Sequence, residues 1–201
     1  MGRRRRHDDR TREVLLTAAE RLVGEGGAEA LSTRAVAERA GTTTRAVYAV
    51  FGSKEALLQA LAQRAFELII EQVDGVPLTD DPGADLITGA VQGFRAFALE
   101  HPDLFRLIWG AASPGAPFSA DTAASQSSSY ARLILRVQRA QSAGLLGDHS
   151  IADVALLWDA ICSGLAMREV CGMVDPSQAQ RIWTDALRAL LAGLGAAHKE
   201  G

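Results

Sequence analysis

The sequence contains few of the residues on which several classes of protein depend. Only two cysteines, Cys162 and Cys171, occur among its 201 residues, too few for the disulfide framework of a small secreted domain. They lie in one helical pattern and cannot form a bridge within that helix, so we interpret both as reduced thiols. No uncharged apolar run reaches the roughly 18 residues of a membrane span, and the arginines at 3–6 precede no apolar signal-peptide segment. These absences predict a cytoplasmic protein.

The motifs of common catalytic and metal sites are also missing. The four histidines are scattered at positions 7, 101, 149 and 198, so none has the spacing of a metal ligand set. Neither a glycine-rich phosphate loop nor a nucleophile elbow occurs. We therefore predict no metal, no cofactor and no enzymatic activity.

What the sequence does contain favours an all-α fold. Aromatic residues make up 5% of the chain, alternating apolar and polar runs are absent, and Ala, Leu and Arg are abundant. Charge is uneven. Residues 1–54 hold eleven Lys and Arg against seven Asp and Glu, a net +4, and the remainder holds ten against seventeen, a net −7. This asymmetry is typical of a protein that meets a polyanion at one end, and chance unevenness is the alternative explanation.

Residues 31–54 carry the clearest pattern in the chain. Ser32 can cap a helix over 33–40, Gly41 can end it in the left-handed conformation, and a second helix over 44–51 follows. The apolar positions recur at helical spacing and can close a small core; they are Val36, Ala37, Ala40, Val47 and Phe51. Two short helices joined in this way predict a helix-turn-helix, whose second helix enters the DNA major groove.

Elsewhere, apolar spacing and turn residues predict seven further helices and one linker. The helices span 11–23, 53–73, 84–100, 103–110, 130–143, 151–173 and 176–194, and the linker spans 74–83. Residues 111–129 are predicted to form either a mobile loop or a loop followed by a frayed helix start near residue 121.

The run Tyr48-Ala-Val-Phe-Gly-Ser-Lys54 adds a family resemblance. Over roughly residues 11–61 the sequence resembles the DNA-binding module of the TetR (tetracycline-repressor) family. In that family an Ala-Gly turn, a Tyr-x-x-Phe and a Ser/Asn-Lys recur in this order. The resemblance implies a helix-turn-helix DNA-binding domain at 10–54, preceded by a flexible basic arm at 1–9. It also implies a helical ligand-binding and dimerisation domain at 55–201.

The second helix of the motif supplies the candidate base contacts. Residues at the N-terminal end of a recognition helix point at base edges, and Arg45 can bind guanine with two hydrogen bonds. The resemblance adds Arg34, at a position that often touches a base or phosphate. The predicted base-contacting set is Arg34, Thr44, Arg45, Ala46 and Ala49.

A second group is predicted to contact phosphates. Thr33 and Thr43 stand at helix starts, where backbone N–H groups and the helix dipole favour anions. The resemblance implies the same role for Tyr48 and Lys54, which alternatively are a half-buried aromatic residue and a solvated surface lysine. The basic arm, with Arg3, Arg4, Arg5 and Arg6, is either a solvated charge run or a further DNA contact, as in homeodomain arms.

The resemblance also implies an effector pocket and a dimer interface. Aromatic density between residues 94 and 158 suggests these pocket residues: Phe97, His101, Phe105, Arg106, Trp109, Phe118, Tyr130 and Trp158, with Asp159 as a further polar anchor. Dimerisation would use the helices over 151–173 and 176–194, with Trp183, Leu187 and Leu190 at the interface. In both places, apolar residues at helical spacing fit an ordinary core equally well.

Together these observations predict a ligand-responsive transcriptional regulator, most often a repressor in this family. It would bind a palindromic operator in double-stranded DNA as a homodimer, through the helix over 44–51, without a membrane partner. A small, largely apolar effector would release it. The alternative is a small-molecule-binding protein or enzyme whose helix-turn-helix is not used on DNA.

Overall fold

The computed structural model describes residues 2–110 and 117–196, with side chains from residue 10 onwards, and every regular element in these ranges is helical. The elements are α1 (Gly2–Ala30), α2 (Thr33–Arg39), α3 (Thr44–Phe51), α4 (Lys54–Asp74), α5 (Pro82–Thr88), a π-helical turn (Gly89–Phe94), α6 (Arg95–Glu100), α7 (Pro102–Trp109), α8 (Ala120–Ser142), α9 (Ile151–Val170) and α10 (Pro176–Ala196). The predicted all-α fold is confirmed.

By their contacts, the residues form two compact units. The head unit comprises Met1–Ala65 and His101–Ala124, and the body unit comprises Phe66–Glu100 and Ser125–Gly201. This division differs from the sequence-based boundary at residue 54. The reason is that the first half of α4 belongs to the head, where its apolar side chains are buried, and that α7 packs on α1.

The head is built around a core to which each of its first four helices contributes. Leu15 of α1, Val36 of α2, Val47 of α3, and Leu57 and Leu61 of α4 are fully buried. Burying a side chain of this size contributes about 1.5–3 kcal/mol, so each of these residues adds substantially to the stability of the head.

Polar contacts hold the outer ends of the head helices together. Arg39, at the end of α2, binds both carboxylate oxygens of Glu25 in α1 at 2.8 and 2.7 Å. The first helix predicted over 11–23 ends close to the point where the helical geometry of α1 breaks, at Gly26 and Gly27. Gly27 has a φ of +69°, the left-handed conformation that glycine adopts without steric cost.

In the body, a buried ion pair connects three helices. Glu169 of α9 accepts hydrogen bonds from Arg95 Nε of α6 at 2.9 Å and from Arg95 Nη2 at 2.6 Å. Trp183 Nε1 of α10 donates to the same carboxylate at 3.0 Å. The side chains of Trp183, Trp158 and Phe97 are all buried in the body. Both charges are thereby paired, which a buried ion pair requires.

The C-terminal end of α4 is held by a buried arginine of α8. Arg136 donates to the backbone carbonyls of Val73, Val76 and Asp85 at 3.1, 2.8 and 3.1 Å. These carbonyls include groups that a helix end leaves without an intrahelical partner. Gly89 makes room for this side chain, since a Cβ there would lie 2.7 Å from Arg136 Nε. Arg136 therefore joins α4, α5 and α8.

Two helix starts differ from the sequence-based expectation. The helix expected over 84–100 begins at Pro82, because Asp81 accepts a hydrogen bond from the Ala84 amide at 2.9 Å, and a π-helical turn interrupts it. The helix expected from residue 130 begins at Ala120, where Ser119 accepts a hydrogen bond from the Thr122 amide. Of the two alternatives predicted for residues 111–129, this agrees with the one that has a helix start near residue 121. Residues 111–116 lie outside the described ranges.

Asp85 is a buried carboxylate whose charge is fully paired. It accepts hydrogen bonds from the backbone N–H of Thr79 at 2.9 Å and from the Thr79 hydroxyl at 2.7 Å, and Arg139 Nη2 lies 3.1 Å away. Burial alone would raise the pKa of Asp85, but the hydrogen bonds from Thr79 and Arg139 outweigh it, and the pKa lies below its usual value.

Replacing Asp85 by Asn is expected to destabilise the protein in a pH-dependent way. At neutral pH the amide loses the charge-assisted hydrogen bonds, and we expect the free energy of unfolding to fall by about 1–3 kcal/mol. The pKa of Asp85 is lower in the folded chain than in the unfolded chain, where Asp titrates near about 3.9. Its contribution is therefore complete above that pH and is lost as the pH falls through the folded-state pKa.

Urea unfolding of the wild type and Asp85→Asn at neutral and acid pH measures this difference. Asp80→Asn is the control, because Asp80 lies on the loop just before α5 and is exposed. A difference that stays the same at acid pH, or a loss of equal size in Asp80→Asn, would contradict the role given to Asp85.

Candidate nucleic-acid interface

Hydroxyl side chains fix the starts of three consecutive helices in the head. Ser32 Oγ accepts a hydrogen bond from the Ala35 amide at 3.1 Å, and Thr43 Oγ1 accepts one from the Ala46 amide at 3.2 Å. Ser53 Oγ does the same at the start of α4, at 3.1 Å from an amide of the first turn. The cap predicted at Ser32 is confirmed, and Thr43 is the cap of α3. Each cap satisfies one of the amides that a helix start leaves unpaired.

Glycines form the turns on either side of α3. Gly41, between α2 and α3, has a φ of +65°, and Gly52, between α3 and α4, has a φ of +79°. A Cβ at either position would meet nothing within 4 Å, so backbone conformation rather than space requires glycine. The turn between α3 and α4 could have been predicted from the sequence, because Gly52 directly follows the apolar residues at the end of α3.

The α3 helix rests on one buried side chain and exposes the rest of its first two turns. Val47 is fully buried, whereas Thr44, Arg45 and Ala49 are exposed and Ala46 is partly buried. This is the arrangement that a recognition helix needs, with a single apolar contact inward and its N-terminal residues outward. No hydrogen bond or ion pair with another described residue engages the side chain of Arg45.

The other candidate contacts lie beside α3 in the head. Arg34 is exposed on α2, and it also has no hydrogen bond or ion pair with a described residue. Tyr48 is 54% exposed, which leaves its hydroxyl accessible. Thr33 and Lys54, at the starts of α2 and α4, are partly buried, and Thr43 is exposed. The side chains of Arg3, Arg4, Arg5 and Arg6 lie outside the described residues.

Two contacts that position the interface were missed by the sequence analysis. The guanidinium of Arg12 in α1 lies 5.8 Å from the centroid of the Phe51 ring at the end of α3. The Arg39–Glu25 pair ties the end of α2 to α1 in the same way. Both contacts join residues far apart in the sequence, and neither produces a periodic pattern from which it could have been predicted.

The predicted pocket residues are divided between the two units. In the body, Phe97 and Trp158 are buried and Tyr130 is 39% exposed. In the head, Phe105 is buried and stacks on Trp109 with ring centroids 4.9 Å apart. The remaining three also belong to the head. His101 Nδ1 lies 3.3 Å from a carboxylate oxygen of Glu20, and Arg106 forms an ion pair with Asp103 at 3.0 Å. Phe118 is partly buried. Their role in effector binding stays a prediction.

Two of the three predicted interface residues are corrected by the structure. Trp183 is 1% exposed and Leu187 is fully buried, so both pack inside their own chain and offer no surface to a partner. Leu190 is partly buried. The apolar stripe of α10 marked the core of the body, whereas on α9 two large apolar residues are exposed, Leu156 at 63% and Leu157 at 46%.

In the parts of the chain that the structure describes, every helix is too short or too polar to cross a bilayer.

A capped pair of short helices around a left-handed glycine, with the second helix exposed, is the architecture of a helix-turn-helix. Together with a separate helical unit, it defines a two-part all-α protein of the helix-turn-helix class.

Comparisons with known proteins identify the family. The family model "Bacterial regulatory proteins, tetR family" matches residues 15–61, and "Tetracyclin repressor-like, C-terminal domain" matches residues 87–190. The second match alone covers more than half of the chain. The chain belongs to the TetR family of bacterial regulatory proteins.

Individual relatives agree with this identification. The chain is 37% identical to the class A tetracycline repressor from transposon 1721 of Escherichia coli over 104 residues, 52% of this chain and 47% of that repressor. It is 36% identical to the class C repressor of the same organism over 106 residues, 53% of this chain and 47% of the relative. The chain thus spans about half the length of these curated relatives.

Solved structures resemble the fold along almost the whole chain. A protein of unknown function from Rhodococcus sp. RHA1 is 28% identical with a TM-score of 0.76, covering 92% of this chain and 95% of its own. The TetR-family regulator PfmR from Thermus thermophilus has a TM-score of 0.68 at 21% identity, covering 90% and 98%. At that identity the second likeness concerns the fold alone.

The cap on α3 gives a test of how the interface is stabilised. Thr43→Ala removes the hydrogen bond to the Ala46 amide, and we expect the free energy of unfolding to fall by about 1 kcal/mol. Thr42→Ala, one residue earlier, removes the same atoms from an exposed side chain outside any helix, so its effect should stay within about 0.5 kcal/mol. Urea unfolding of both variants measures the difference. Equal losses would show that Thr43 does not act as the cap.

Proposed function

We propose that this protein is a transcriptional repressor that binds a palindromic operator as a homodimer and leaves it when a small effector binds. The observation that carries this proposal is α3, a capped helix with one fully buried residue, Val47, and an exposed N-terminal face. The class A and class C relatives are both tetracycline repressors, which supports repression as the outcome.

In this proposal Arg45 reads the operator. Its side chain is exposed on the first turn of α3, and a guanidinium can donate two hydrogen bonds to the O6 and N7 acceptors of a guanine. Thr44 can donate to a base on the same turn, whereas Ala46 and Ala49 offer only apolar contact, for example with a thymine methyl group. Because so few side chains of α3 carry donors, Arg34 of α2 is assigned a second polar contact.

The phosphate contacts position the head without reading sequence. Thr33, Thr43 and Lys54 stand at the starts of α2, α3 and α4, where the amides of three helix N-termini favour an anion. The exposed hydroxyl of Tyr48 adds a further donor. The net charge of +4 over residues 1–54 strengthens this sequence-independent attraction, and the basic arm at 3–6 would extend it along the duplex.

Dimerisation is assigned to the exposed face of α9. Leu156 and Leu157 are large, apolar and exposed, and Ala160 and Gly164 follow on the same side of the helix. A glycine inside a helix lowers the stability of that helix by about 1 kcal/mol relative to alanine. Nothing within this chain requires glycine at position 164, because a Cβ there would meet no atom within 4 Å. If the α9 helix of a second copy packed closely against this face, it would bury the two exposed leucines, and the absence of a side chain at Gly164 would allow the close approach.

The effector would act by preferring one arrangement of the two heads. A ligand changes operator affinity only by the difference between its affinities for the two arrangements, typically about 1–3 kcal/mol. The predicted residues of the body, Phe97, Tyr130 and Trp158, fit a small and largely apolar molecule. Binding of operator and effector would therefore weaken each other reciprocally.

Two substitutions in the head separate base reading from phosphate binding. Arg45→Ala should lower affinity for the operator by about 1–3 kcal/mol and relax the preference at one base pair of each half-site. Lys54→Ala should weaken binding to all duplexes alike and reduce the slope of log K against log salt by about 1. Fluorescence anisotropy with a palindrome from the region upstream of the protein's own gene, and with a scrambled duplex, measures both.

An unchanged ratio of operator to scrambled affinity in Arg45→Ala would contradict its role in reading bases. Wild-type binding that is weak and independent of sequence would contradict the proposed function, and would favour a small-molecule-binding protein whose head is not used on DNA.

The dimer interface has its own test. Leu156→Glu places a charge at the centre of the proposed apolar contact, and we expect the dimer dissociation constant to rise by roughly tenfold or more. Leu135→Glu is the matched control, since Leu135 is 49% exposed on α8, outside the proposed interface. Sedimentation velocity at several protein concentrations gives the dissociation constants. A monomeric wild type, or an equal effect of both variants, would rule out this interface.

A further inference from the structure

A groove of about 820 Å³ opens on the surface of the body, between the loop that leads into α5 and the C-terminal end of α8. Its lining residues lie between positions 78 and 82 on one side and between 138 and 143 on the other, all in the body unit. None of the predicted effector residues of the body, Phe97, Tyr130 and Trp158, lines it. Sites for small molecules span about 300–1,000 Å³, so this groove is a second space in which such a molecule fits.

Arg139 supplies a fixed cation to the groove. Its Nη2 atom donates to the backbone carbonyl of Thr79 and, at 3.1 Å, to a carboxylate oxygen of Asp85. Asp85 is 1% exposed and is itself held by the Thr79 hydroxyl at 2.7 Å, so the arginine is anchored on a buried base. An arginine held in this way is a preorganised donor, because its side chain loses little further freedom when it binds a carboxylate.

The anchoring contacts use only one of the three nitrogens of Arg139. Its Nε atom is buried and has no hydrogen-bond partner among the described residues. Its Nη1 atom also makes no hydrogen bond or ion pair with a described residue, but unlike Nε it reaches solvent, and the side chain as a whole is 34% exposed. A guanidinium carries two N–H donors on Nη1. Because Arg139 lines the groove, these two donors are available to a bound carboxylate.

An acid lines the same groove and is not paired with this arginine. Asp80 is exposed, and it makes no hydrogen bond or ion pair with any residue that the structure describes. It directly follows Thr79, whose carbonyl binds Arg139, so the two charges lie near each other along the groove. The carboxylate that pairs with Arg139 is nevertheless that of Asp85. A plain anion would be attracted by Arg139 and repelled by Asp80, whereas a ligand with both charges complements the two.

The remaining lining residues offer neutral hydrogen-bonding groups and apolar surface. Gln138 and Ser142 lie one turn apart on α8, both are exposed, and neither side chain is hydrogen-bonded to another described residue. Leu78, Pro82 and Ala143 supply the apolar part, and Leu78 is 44% exposed. A few polar groups beside apolar surface are the usual composition of a site for a small molecule.

We propose that this groove binds a small aminocarboxylate with an apolar side chain, the class to which free apolar amino acids belong. The carboxylate of the ligand binds Nη1 of Arg139, its ammonium group binds Asp80, and its side chain lies against Leu78. This site goes beyond the proposed function, because it depends neither on operator binding nor on the predicted effector residues. Charge-assisted hydrogen bonds of this kind favour a zwitterion over a neutral analogue by roughly tenfold or more.

Four probes that share a phenyl group and differ in charge test the proposal: L-phenylalanine, hydrocinnamate, phenethylammonium and hydrocinnamyl alcohol. Titration of the full chain, followed by two-dimensional proton–nitrogen NMR, gives both the dissociation constants and the place of binding. We expect L-phenylalanine to bind roughly tenfold more tightly than the alcohol, and more tightly than either singly charged probe. The amide signals that move should be those of residues 78–82 and 138–143.

Two substitutions at exposed positions test the site without disturbing the fold. Asp80→Asn removes the partner of the ammonium group, so L-phenylalanine and hydrocinnamate should then bind alike. Asp185→Asn is its control, because it changes the net charge equally at an exposed position on α10. Ser142→Phe fills the groove and should abolish binding, whereas Ser127→Phe makes the same change at an exposed position of α8 outside the groove. Arg139 itself is left unchanged, since its loss would unpair a buried acid.

Several results would overturn the proposal. It fails if the wild type binds none of the probes, if L-phenylalanine and the alcohol bind equally, or if hydrocinnamate binds most tightly. It also fails if Asp80→Asn keeps the preference for L-phenylalanine, if Ser142→Phe still binds it, or if the moving signals centre on Phe97 and Trp158. Operator DNA does not enter these measurements, so a negative result leaves the proposed function unaffected.

Discussion

A helix of eight residues does not keep its conformation in water without support, because nucleation costs more free energy than so short a helix recovers. The rest of the head meets this constraint for α3. Thr43 caps its start, Gly52 ends it in a left-handed conformation, and Val47 anchors it in the core. Because Val47 is the one fully buried side chain of α3, Thr44, Arg45, Tyr48 and Ala49 face outward. The exposure of Arg45 follows from how little of α3 the core uses.

The motif could be predicted from the sequence because its determinants are local. Ser32 and Thr43 act within one turn of their own helices, and Gly41 acts on its own backbone. Residue type at a single position therefore carried the information. The same reasoning placed the break between the helices predicted over 84–100 and 103–110, because proline restricts the residue before it and Pro102 begins α7.

The arrangement of the body could not be predicted in this way. The apolar stripe of α10 indicated that Trp183 and Leu187 are buried, but periodicity does not say against what, and both belong to the core of their own chain. The pairing of Arg95 with Glu169 joins residues 74 positions apart. Nothing in the sequence distinguishes Glu169 from the other acids of α9, and only the tertiary structure shows that Arg95 and Trp183 bind it. Which acids are paired is thus a property of the fold.

The central claim is that the exposed face of α3 reads DNA as one half of a symmetric pair. In vitro selection from a random duplex library with the full-length protein tests it most directly, because it assumes no operator. The account predicts an enriched inverted repeat with a guanine in each half-site, and loss of the preference for that guanine when Arg45→Ala is used in the same selection. Enrichment of a sequence without two-fold symmetry, or no enrichment, would contradict it.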